Sequence, residues 1–82
     1  MTRFTRKQGR YIAYIHLYRK LHRQGLAEGD IAQDFRVSPP TVHQMIVKLE
    51  ELGLITRKPG VPRSVRVAIP ADEIPDLEDE ED

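Results

Sequence analysis

The chain has 82 residues, 39 % of them hydrophobic, and no cysteine; it makes one small domain, below the ~100 to 200 residues usual per domain, without disulfides or thiolate metal sites. So short a chain buries a modest share of its surface, which argues against a deep substrate cavity. The zero net charge hides a division: residues 1–69 carry all 13 Lys and Arg against five acids, and residues 70–82 hold eight acids and no base.

From Thr5 to Arg23 there is no proline, and Gly9 is the single glycine, so a long first helix is predicted with Thr5 as its cap. At ~100° per residue, Phe4, Tyr11, Ile12, Ile15, Tyr18 and His22 share one side, and Tyr14, Leu17 and Leu21 widen it. Glu28 to Phe35 reads as a short second helix resting on Ile31, Ala32 and Phe35, its Glu28 and Asp30 placed at the positive end. Arg36-Val37-Ser38-Pro39-Pro40 breaks it, with Ser38 set to cap a third helix that opens on Pro39. That helix runs to about Leu52, with Val42, Met45, Ile46, Leu49 and Leu52 as its core stripe and Gly53 as its stop. Leu54 to Lys58 and Ser64 to Ile69 read as strands around a Pro59-Gly60-Val61-Pro62 turn. From Pro70 on, acids and prolines offer little to pack, so residues 70–82 are expected to be a disordered or loosely attached acidic tail behind a domain of residues 1–69.

Helix, helix, turn, helix and hairpin is the order of a winged helix-turn-helix: mainly α, a three-helix bundle with a two- to three-stranded wing. In that arrangement the third helix enters a DNA major groove and the wing, residues 58–64, reaches the adjacent backbone. The face of the third helix opposite its core stripe carries Pro40, Thr41, His43, Gln44 and Val47, hydrogen-bonding groups beside an apolar one, which suits base-edge reading. A Gln44 amide can bond adenine bidentately, Thr41 or Val47 can touch a thymine methyl, and His43 can donate to a phosphate or a guanine edge. Arg36, Ser38, Lys48, Lys58 and Arg63 surround that face and are the expected phosphate contacts.

Four segments carry a resemblance. Phe4-Thr5-Arg6-Lys7-Gln8, Asp30-Ile31-Ala32-Gln33, Ser38-Pro39 and Lys48-Leu49-Glu50-Glu51-Leu52-Gly53-Leu54-Ile55 make residues 4–69 look like the amino-terminal winged-helix DNA-binding domain of the LexA repressor family; the last segment is also similar to MarR-type regulators. The resemblance implies a DNA-binding transcriptional regulator whose operator-reading positions fall on Ser38, Pro40, Thr41, His43 and Gln44.

Other classes fare worse. Ser38 and Ser64 are read as a cap and a wing residue, neither beside an evident base. His16 and His22 stand six apart, poorly placed to share a helix face, and the glycines form no phosphate-cradling pattern. An enzyme, a metal, a cofactor and a small-molecule substrate are therefore not expected. The alternative is a winged-helix module that binds another protein rather than DNA. A monomer this small spans few base pairs, so a homodimer touching through Tyr14, Leu17 and Leu21 is expected. No apolar stretch approaches the ~20 residues of a membrane span, and the Met1-Thr2-Arg3 start lacks the pattern of a secretory leader; a cytoplasmic protein is the expectation.

Overall fold

The computed structural model describes residues 4–22 and 25–75. Helix α1 spans Arg6–His22, α2 Glu28–Phe35 and α3 Pro39–Glu51, followed by strands β1 (Ile55–Thr56) and β2 (Arg66–Val67) and a single 3-10 turn at Ala71–Glu73. Thr5 caps α1 as its sequence predicts: Gln8 N–H donates to Thr5 Oγ1 (3.1 Å) while Thr5 N–H donates to Gln8 Oε1 (2.9 Å), a reciprocal pair that satisfies two backbone donors at the helix start. The α2 start is held from one side only, because Ala27 has no acceptor side chain and Asp30 alone reaches back to the Ala27 N–H (3.0 Å).

Side chains from all three helices and from the strand region meet in one core, where Ile12, Ile31, Val42, Ile46, Leu49 and Leu54 are fully buried. Phe35 of α2 wedges between two rings of α1, its centroid 4.8 Å from Tyr11 and 5.3 Å from Tyr14, both edge-on, and the Arg10 guanidinium lies 4.7 Å from the same ring. Such edge-to-face pairs add to simple area burial. The Tyr14 hydroxyl also donates to Asp34 Oδ2. Burial raises the Tyr14 phenol well above its ordinary range, and the Asp34 bond pushes it in the same direction. Tyr14 is thus engaged within the chain; of the three residues expected at a dimer contact, Leu17 and Leu21 are the exposed ones.

Three other expectations change. Leu52 is 41 % exposed, because α3 ends at Glu51 and Gly53 (φ +78°) turns the chain so that Leu54 enters the core in its place. The strands contract to two residues each, paired antiparallel as Ile55 with Val67 and Thr56 with Arg66. Pro59 and Pro62 bring no backbone donor to the wing, and the Ser64 hydroxyl bridges it instead, accepting from Lys58 N–H (2.9 Å) and donating to Lys58 C=O (3.2 Å). Finally, residues 70–75, assigned by the sequence to the tail, stay with the body. Ile74 packs against the core cluster, and a Cβ on Gly9 of α1 would meet Pro75 at 3.2 Å and the Phe4 ring at 3.1 Å. The remaining tail, 76–82, lies outside the described residues.

Candidate nucleic-acid interface

The corner between α2 and α3 is built almost entirely from local signals. Arg36 closes α2 in the left-handed conformation (φ 58°), and the Val37 N–H returns to Ala32 C=O (3.1 Å), the backbone reversal in which glycine is commonest. Ser38 then caps α3, its Oγ accepting from Thr41 N–H (3.3 Å) and lying 2.8 Å from Thr41 Oγ1. Prolines occupy the first two helical positions, and the Val42 N–H bonds Ser38 C=O (3.2 Å). The first turn of α3 therefore has no spare backbone donor for an anion.

Val42, Ile46 and Leu49 anchor α3 to the core, which turns Pro40, Thr41, His43 and Gln44 outward and leaves Val47 half-buried beside them. The five expected base-reading residues thus share the outer side of one rigid helix. Arg36, Lys48 and Lys58 are exposed, and among the described residues no hydrogen bond or ion pair holds their side chains. Arg63 differs. It too has a left-handed backbone (φ 58°), but its guanidinium turns to the body, donating to Gly25 C=O (3.3 Å) and lying 3.7 Å from Asp30 Oδ2.

A charged network missed by the sequence reading joins the parts. Glu28 at the start of α2 accepts from His43 Nδ1 (3.1 Å) and faces Arg57 Nη1 (3.5 Å), while Arg57 Nε donates to Glu50 of α3 (3.0 Å). The signal for Arg57 lay in strand alternation: Ile55 points in and Thr56 out, so Arg57 falls on the inward side, where only ion pairing makes a guanidinium tolerable. The wing is further seated by a close backbone approach. A Cβ on Gly25 would fall 1.9 Å from the Arg63 carbonyl oxygen, so the loop between α1 and α2 can touch the wing only with glycine there.

The corner thus sets an exposed wing and a capped helix with a polar outer face on one small core. Residues 3–60 match the family model of the iron-dependent repressor N-terminal DNA-binding domain. The chain belongs to this family. It is thereby a winged helix-turn-helix DNA-binding domain of a transcription-regulating kind, and the family shown is a different one from the LexA repressors that residues 4–69 resemble. No curated protein matches the chain. The family's description names iron, but the residues described here do not fit an iron site: no three His, Asp or Glu side chains gather in a metal-holding arrangement among them, and the approach of His43 to Glu28 is shared with the Arg57 guanidinium, a fixed positive charge that disfavours a cation. Among the described residues, no helix is long and apolar enough to cross a membrane.

Proposed function

We propose that this domain is a sequence-specific regulator that lays α3 in the major groove of double-stranded DNA, with Pro40, Thr41, His43, Gln44 and Val47 toward the base edges and the wing along the phosphate backbone. The carrying observation is the outward polar face of α3 together with three exposed bases, Arg36, Lys48 and Lys58, whose side chains no hydrogen bond or ion pair holds among the described residues. The likeness of residues 4–69 to the LexA winged helix supports the same docking. Ser38 contributes as the cap that fixes the start of α3, and Arg63 by holding the wing to the body while its half-exposed charge remains near the backbone.

Base edges carry sequence and phosphates carry position, so the two sets of residues separate in experiment. A salt titration on random-sequence duplex should show log affinity falling steeply with log salt, and Arg36→Ala, Lys48→Ala and Lys58→Ala should each flatten that slope by about 0.9. Gln44→Ala should leave the slope on random duplex unchanged and remove preference among duplexes selected from a random library. A folded protein that binds no duplex at low salt would transfer the reading to a protein-binding module. Specificity over a longer site calls for two copies on a two-fold operator, and Leu17 and Leu21, exposed one helical turn apart on α1, are the surface that supports pairing; sedimentation as a monomer on its operator would remove that part.

A further inference from the structure

We infer that His43 reads a base edge as a hydrogen-bond acceptor, because Glu28 fixes the hydrogen of its neutral ring on the nitrogen that faces away from DNA. This rests on the proposed docking of α3 and goes beyond it by assigning the chemistry of one contact. The ring nitrogen Nδ1 lies 3.1 Å from Glu28 Oε1 and 3.4 Å from Oε2. An ionised carboxylate can only accept, so Nδ1 must supply the hydrogen, and a neutral imidazole has just one. The outer nitrogen Nε2, for which no partner exists among the described residues, is then a lone-pair acceptor on a side chain that is 56 % exposed. In the major groove its complement is an amino group, adenine N6 or cytosine N4; guanine offers two acceptors at the same edge and is rejected. The neighbouring Gln44 has no such restriction, since an amide presents both a donor and an acceptor.

The charged groups around the ring make this arrangement robust. Glu28 faces it from α2, and behind Glu28 stands Arg57, itself paired with Glu50 of α3. Arg57 has donors only, which decides what the variant Glu28→Gln will do. Its guanidinium claims the amide oxygen, the amide nitrogen is left to donate to His43 Nδ1, and the ring hydrogen moves to Nε2. The same histidine then presents a donor and selects guanine.

The test is selection of duplexes from a random library in alkaline buffer, where an imidazole is neutral, with the unaltered protein, Glu28→Gln and His43→Ala, together with 15N NMR of all three proteins without DNA, which reads the His43 ring wherever it is present. The expected result is an Nδ1–H ring and an adenine or cytosine at one operator position for the unaltered protein. Glu28→Gln should show an Nε2–H ring and a change to guanine of roughly tenfold in preference at that position, and His43→Ala should lose discrimination there and nowhere else. The same spectra report whether each variant is folded. An Nε2–H ring in the unaltered protein, or identical operators for the unaltered and Glu28→Gln proteins, would overturn the assignment of His43 and leave the docking standing. Failure of all three folded proteins to enrich any duplex would overturn the docking itself, and the base contact with it.

Discussion

The two halves of the interface are held by different kinds of interaction. At the α2–α3 corner the fixing contacts span three to five residues: Thr41 to Ser38, Val42 to Ser38, Val37 to Ala32. In the wing, each strand is two residues long, and two fixing contacts reach far along the chain, from Arg63 to Gly25 and from Arg57 to Glu28, beside the shorter Arg57 to Glu50 and Ser64 to Lys58. A corner closed by its own neighbours loses little chain entropy on forming, whereas contacts across longer loops must offset a larger closure cost. The reading helix is therefore expected to be the stiff half of the interface and the wing the half that opens first, since local opening follows low contact density and exposed hydrogen bonds.

The largest test removes what both halves share. Ile46 is fully buried under α3, and Ile46→Ala should cost about 2–5 kcal/mol in chemical denaturation, lowering the protection of corner and wing amides together; wing amides unaffected by this change would mean that the halves are not one cooperative unit. Next is Gly25→Ala. With the new methyl 1.9 Å from the Arg63 carbonyl oxygen, loop and wing must part, at about 1–3 kcal/mol as for other overpacked sites, and hydrogen exchange should accelerate in the wing while α3 stays protected.

A matched pair of serines sharpens the contrast. Ser38→Ala removes the α3 cap and should cost about 1 kcal/mol, with faster exchange confined to the first turn of α3. Ser64→Ala leaves the exposed Lys58 N–H to water and removes the bridge of the wing, at about 0.5–1.5 kcal/mol; its signature is faster exchange around Lys58 and a weaker wing contribution to DNA affinity with selected sequence unchanged. The smallest effect, and of opposite sign, belongs to Arg36→Gly. Glycine adopts the left-handed conformation of this position without the side-chain penalty, so stability should hold or rise by up to about 1 kcal/mol while the salt dependence of DNA binding flattens. A loss of several kcal/mol would show that the Arg36 side chain, and not only its backbone, closes the corner.

These differences account for what could be read in the chain beforehand. The helices and the face that α3 presents followed from apolar spacing, a serine followed by proline, a threonine before the first helix, and acids at the start of α2, all of which act within a turn or two of themselves. The wing was legible as a hairpin, and its inward and outward alternation from Val65 to Ile69 holds in the structure, but its length was overstated: beyond Thr56 the two sides are joined through the Ser64 hydroxyl to Lys58 and not by backbone pairing. Leu52 was misplaced for a similar reason: periodicity carries on past the residue where the helix stops.

Local sequence alone thus determined three helices, a capped corner and which side of α3 faces outward, since each depends on neighbours at fixed spacing. Only the tertiary structure decided that Tyr14 serves the α1–α2 contact, that Arg63 turns back to Gly25, that the chain stays packed on α1 as far as Pro75, and that Glu28, His43, Arg57 and Glu50 form one charged network. Those partners stand 7 to 66 residues apart, and no spacing rule links side chains whose distance is set by how the core packs.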